Sequence, residues 1–399
     1  VPPANSPVQR IRSIDAFRGL TIFIMIFVNE LAGVKGIPYW MEHMPANVDG
    51  MTFVDVVFPA FLFIVGMSIP FAIANRIAKG DNFFQVQKHI LMRTLGMLVL
   101  GVFMVNAEEG YNQAAMPMSI FSWSLLFYGA AFLVWHVRLL KSAQADLALR
   151  IAGVLVLAYL ALIFRAGDGS AYLTPQWWGI LGLIGWAYLL GSVCFQLTKG
   201  DVRRLLALLI LCVVYYGLAH SHWAVAYPLI ALICHCDLTA AHGSIVLCGV
   251  ITSQLFFGTA ANRHNDFQQR CLRAIAFASA LASAAWALRP EWPISKIAAS
   301  PSWCLYSSAI CVVIFMPLNY LVDVQQRQGW MRLFEPAAAN PLLTYLLPFI
   351  VYAALEALHI PMADWMRQGA TGMAWALGYA LLILLLVRGL NRLNLRLQL

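Results

Sequence analysis

"RIRSIDAFRGLTIFIMIFVNE", residues 10–30, joins a charged start to a run apolar enough for a membrane interior. Arg12, Asp15 and Arg18 crowd its first turns, and Asn29 stands near its far end. Working outward, runs of similar character occur at 13–33, 53–75, 89–106, 118–137, 147–165, 177–197, 203–219, 242–261, 271–288, 302–322, 339–357 and 371–390. A spanning helix needs about 20 apolar residues, down to ~17. The 399 residues are 61% hydrophobic and 11% charged, whereas soluble domains carry roughly a quarter charged residues. Mean hydropathy is +0.74. The expectation is an all-α, polytopic membrane helix bundle of about 12 transmembrane helices, at least ~10, in one continuous domain over 1–399. The stretch WAVAYPLIALICHC, 223–236, is apolar but short and holds Pro228, so it reads as an interfacial or re-entrant segment.

Cation placement sets an expected orientation. With the N-terminus inside, 21 of the 26 Lys and Arg residues fall on inner segments. The five outer ones are Lys35, Arg165, Arg289, Lys296 and Arg367. Both termini are therefore expected in the cytoplasm. The net charge of +8 is a topology signal and calls for no nucleic-acid partner. VPPANSPVQ, residues 1–9, reads as a polar, disordered tail, and no cleavable signal peptide is expected. The eight cysteines are scattered. Cys234, Cys236 and His235 lie near His220, His222, Asp237 and His242, but the spacing matches no strong zinc pattern, and no metal is expected.

Arg12, Asp15 and Arg18 are three apart and share one side of a helix start. Anchoring at the membrane surface explains them simply, and is the preferred reading for Arg12. Asn29 follows Arg18 by eleven residues, which returns it to within ~20° of the same face and ~16 Å along the axis. A polar stripe of this kind faces a cavity or a partner helix; a single interhelical hydrogen bond from Asn29 is the plainer alternative. In the next outer segment, KGIPYWMEHMPANVDGMTFVDVVFPAFLFIVGMSIP (35–70), Glu42 and His43 sit beside aromatic residues, and Asp55 is at the mouth of the second run. A histidine near carboxylates is a candidate proton acceptor.

These blocks, 10–30 with the loop His43 and 49–70, resemble the signature of the heparan-α-glucosaminide N-acetyltransferase family of transmembrane acyltransferases. FEPAAANPLLTYLLPFIVY, 334–352, resembles its bacterial members. The resemblance covers 10–106 and 300–357 and leaves a divergent middle at 166–241, where two extra spans are expected. The human-type Arg-Gln motif has no counterpart in MPMSIFSWSLLFYG, 116–129. The resemblance implies acetyl transfer from cytosolic acetyl-CoA to an amino sugar or envelope glycan across a bacterial inner membrane. His43 would be general base or acyl carrier. Asn29, Asp55 and Glu42 would support it. On the donor side, Asp15, Arg18, Arg93, Arg270, Arg273 and Asn340 are the candidate acetyl-CoA contacts. The expected partners are the lipid bilayer, the donor, the glycan acceptor and, as an assembly, a homodimer. A proton-coupled permease for small sugars is the alternative from another class, and a partner-binding membrane protein a third.

Overall fold

A bilayer offers backbone N–H and C=O groups no partner, so each apolar run must satisfy its own by folding as a helix. The computed structural model describes residues 11–137, 142–227, 236–258 and 267–399. The expected N-terminal tail and most of the 223–236 segment lie outside these residues. The helices are α1 (Arg12–Leu31), α2 (Val54–Ala78), α3 (Phe83–Glu108), α4 (Ile120–Trp135), α5 (Ala143–Ile163), α6 (Gly179–Thr198) and α7 (Val202–Ala219). A short α8 (His222–Ala226) is followed by α9 (Asp237–Phe257), α10 (Phe267–Leu288), α11 (Pro301–Asn319), α12 (Glu335–Ala339), α13 (Pro341–Ala357) and α14 (Gly369–Arg392).

Twelve of these helices coincide with the twelve apolar runs. Among the described residues nine are long and apolar enough to cross a membrane. The helices α4 and α13 are apolar but shorter, at 16 and 17 residues. The remaining one, α1, is 20 residues long and carries the charges noted above. The chain is a polytopic helical membrane protein. Its helix starts follow ordinary capping chemistry: Ser119, Ser142, Asp201 and Ser300 each accept from a backbone N–H in the first turn of the helix they precede.

The chain divides into two compact units. The first holds residues up to Thr21, Pro38–Thr94 and Ile184–Trp330; the second holds Ile22–Ile37, Leu95–Leu183 and Met331–Leu399. In the first unit, α9 is buried on every side from Ala240 to Gln254. It packs against α2, α7, α10 and α11. Its contact with α2 is backbone on backbone. A Cβ on Gly66 would lie 2.0 Å from the Val246 carbonyl oxygen, and one on Gly249 would lie 2.0 Å from that of Phe63. Small residues let membrane helices approach this closely. At the start of α1 the Asp323 carboxylate, from the π-turn that ends α11, accepts from the Ser13 backbone N–H and hydroxyl. An anion at a helix N-terminus satisfies orphan donors and the dipole together.

The second unit is built around an aromatic stack. Phe103 lies over Trp123 and Phe127 at centroid distances of 5.4 and 5.0 Å, and Phe164 meets Trp123 at 5.4 Å. Around it, α4 packs on α5 and α13, and α13 on α14.

Candidate functional site

Two loops of the first unit meet at the mouth of α2. One is the segment 38–53, the other 289–300. Asp49 fastens them: it accepts from Arg289 Nε at 2.8 Å and from the Ile294 N–H at 2.8 Å. Gly50 N–H adds a bond to the Ile294 carbonyl at 3.1 Å. The Ile294 amide, and then Arg289, hold the Asp49 carboxyl below the usual carboxylate range. The second loop is closed on itself. Ser295 N–H donates to Ser300 Oγ at 3.0 Å, and Ser300 N–H donates to the Ser295 carbonyl at 3.1 Å. Ala299, with φ of 50°, takes the left-handed turn that lets the loop enter α11.

Asp55 sits beneath this junction with no solvent exposure. Its Oδ2 accepts from the backbone N–H of Thr52 at 3.1 Å and of Met44 at 3.2 Å. Its Oδ1 lies 2.7 Å from His43 Nδ1. Trp303 Nε1 donates to the Asp55 carbonyl, and Thr52 Oγ1 donates to the Glu42 carbonyl. A carboxylate only accepts, so Nδ1 must carry the imidazole proton. In the neutral ring Nε2 then keeps the lone pair, and the side chain is 40% exposed. An imidazole held in this way is able to accept a proton from a group brought to Nε2.

Lys296, from the second loop, completes the cluster. Its Nζ lies 3.1 Å from His43 Nδ1 and 3.3 Å from Nε2. Burial lowers the Lys296 pKa, while the Asp55 charge pulls it back up. The sequence reading counted Lys296 only as an outer cation. The available signal was its rarity, one of only five cations that the charge pattern assigns to outer segments, against 21 to inner ones.

The other expected residues are placed as follows. Glu42 contributes its carbonyl to the cluster, and its exposed side chain is not the group that orients the ring; Asp55 is. Asn29 lies in the second unit and is exposed. Beside it, Glu30 accepts from the Tyr352 hydroxyl and from Trp375 Nε1. Arg18 bonds Asp15 at 2.9 Å and Ser68 Oγ at 2.8 Å. Ser68 is thirteen residues along α2 from Asp55, about 20 Å at 1.5 Å per residue. Arg93 lies over the Tyr188 ring at 4.8 Å. Arg270 reaches the Phe256 carbonyl at 3.5 Å, and Arg273 is exposed on α10. Asn340 is fully buried in the second unit. Its amide donates to Asn391 Oδ1 and the Leu395 carbonyl and accepts from Leu397 N–H. All its hydrogen-bonding directions but one lone pair are spent on the C-terminal segment, so it is not an open donor-site group.

Near the expected outer histidines, His220 Nε2 lies 3.5 Å from Asp237 Oδ2. Cys234 and His235 lie outside the described residues. His242 is buried in α9, edge-on to Phe58 and Trp303. Among the described residues no group of three or more His, Cys, Asp or Glu is placed to hold a metal ion.

This chain is 36% identical over 98 residues to heparan-alpha-glucosaminide N-acetyltransferase of Homo sapiens, covering 24% of this chain and 14% of that protein. It is 35% identical over 103 residues to the protein of the same name from Mus musculus, covering 26% of this chain and 15% of that one. The chain thus spans about a seventh of the length of these curated relatives. Residues 10–223, more than half of the chain, match the family model described as "Domain of unknown function (DUF5009)", and the chain belongs to that family.

Proposed function

We propose that this protein is a membrane-embedded acyltransferase that moves an acetyl group from acetyl-CoA to an amino sugar or envelope glycan. The observation that carries this reading is the Asp55–His43 pair, a buried carboxylate orienting a partly exposed imidazole. The relatives' names supply the reaction class. His43 Nε2 takes the proton of the attacking amine or hydroxyl as the thioester carbonyl is attacked. The same lone pair can instead carry the acetyl group through an acyl-imidazole. A burst of CoA release in a single turnover without acceptor separates the two routes.

The donor enters from the other end of the helices in this proposal. Arg18, braced by Asp15 and Ser68, offers a guanidinium for phosphate oxygens. Arg93, Arg270 and Arg273 remain candidates for the same face. The pantetheine arm then bridges the roughly 20 Å of helix between Ser68 and Asp55. Membership of a bacterial inner membrane, cytoplasmic termini and donor entry from the cytosol belong to this same reading.

The test is transfer of labelled acetyl from acetyl-CoA to a panel of glucosamine-containing acceptors by purified protein. Wild type should transfer, and His43→Ala should not. Sugar flux through reconstituted protein without acetyl-CoA, with no transfer, would replace the enzyme by the permease.

A further inference from the structure

An acceptor amine must come within hydrogen-bond reach of the general base, ~2.6–3.2 Å. The chain already holds an amine close to that place. Lys296 Nζ stands 3.1 Å from His43 Nδ1 and 3.3 Å from Nε2, so it lies against the ring and reaches the Nε2 lone pair by rotation of its flexible stem. It is kept there by a loop that is closed through Ser295 and Ser300 and fastened through Ile294 to Asp49 and Gly50. We propose that Lys296 is itself an acetyl acceptor of this site, a built-in stand-in for the substrate amine. The inference rests on the acyltransferase reading above.

In the step, the neutral Lys296 amine attacks the thioester carbonyl. A C–N amide bond forms and the C–S bond breaks. His43 Nε2 takes the proton from nitrogen and returns it to the departing thiolate, so acetyl-CoA and Lys296 give Nε-acetyl-Lys296 and CoA-SH. Burial favours the neutral, nucleophilic form of this lysine, and the titratable groups that face it are Asp55, which opposes that shift, and the His43 ring. An amide does not pass its acyl group onward under the conditions that cleave a thioester. The modification is therefore stable, and it fills the acceptor position. The enzyme would switch itself off when donor is present and acceptor is not.

The experiment uses the full chain in lipid nanodiscs with acetyl-CoA and no acceptor, followed by peptide mass spectrometry. The six lysines act as mutual controls, Lys35 above all as the other outer one. Lys296 should be acetylated ahead of the rest, His43→Gln should slow this by about 10²-fold or more, and an amino-sugar acceptor should suppress it. Transfer activity should fall during preincubation with acetyl-CoA alone, and Lys296→Arg should abolish that time-dependent fall. Equal acetylation of all lysines overturns the proposal, because it is then plain chemical acetylation; the wild-type pattern alone decides this if a variant misfolds. An unmodified Lys296 in a preparation that acetylates added amino sugar overturns the proposal and leaves the acyltransferase intact. An unmodified Lys296 with no transfer overturns both.

Discussion

At the scale of single residues, the chemistry rests on which proton His43 carries. Asp55 fixes it on Nδ1, so Asp55→Asn should keep the site's shape while permitting the wrong tautomer. The expected result is a fall in kcat of about 10²-fold or more with a smaller change in KM, read from initial rates of acetyl transfer. His43→Ala should remove the activity altogether. Lys296 sets a pH dependence for its own acetylation. Its folded pKa lies below the unfolded lysine value of ~10.4, so the neutral amine is populated at lower pH than in a free lysine. The rate of Lys296 acetylation should rise with pH and level off before the plateau of a lysine peptide measured beside it. The linkage has the same sign: the unfolded chain binds this proton more tightly, so Lys296 costs stability below its folded pKa and the cost fades as pH rises toward ~10.4. His43 and Asp55 were legible as a candidate pair from their residue types and loop position. Lys296 was not, because 253 residues separate it from His43.

At the scale of elements, two contacts decide whether the residues above can meet. The first is the clamp between loops 38–53 and 289–300. Asp49→Ala removes partners of Arg289 and of the Ile294 N–H, and so loosens the loop that carries Lys296 without touching His43 or Asp55. Transfer should fall several-fold, while loss of a solvent-screened ion pair should leave the melting temperature nearly unchanged. The second is the α2–α9 crossing. Gly249→Val puts carbon where the Phe63 carbonyl already stands. Overpacking of this sort costs about 1–3 kcal/mol or more, and here it also displaces the helix that carries Asp55. A lowered melting temperature and loss of transfer together are expected, measured on the detergent-solubilised protein. The positions of the helices could be read from hydropathy, since a bilayer forces any long apolar run to be helical. Which glycines are packing surfaces could not, because Gly66 and Gly249 announce no partner until α2 and α9 are crossed.

At the scale of the whole molecule, the uneven distribution of Lys and Arg predicts a testable orientation. Single cysteines placed at Asn47 and at Asp81, in a background lacking the native ones, should label from opposite sides of sealed vesicles; labelling from one side would remove the cross-membrane route. The sequence by itself determined that this is a many-helix membrane protein, where its helices run, and which loop holds the candidate imidazole. Those properties depend on local composition, and composition is written along the chain. Only the tertiary structure decided that Asp55 rather than Glu42 orients His43, that Asn340 is spent on the C-terminal segment, and that Lys296 stands at the imidazole. These are matters of a few ångströms between groups remote in sequence, and nothing in hydropathy or spacing carries that distance.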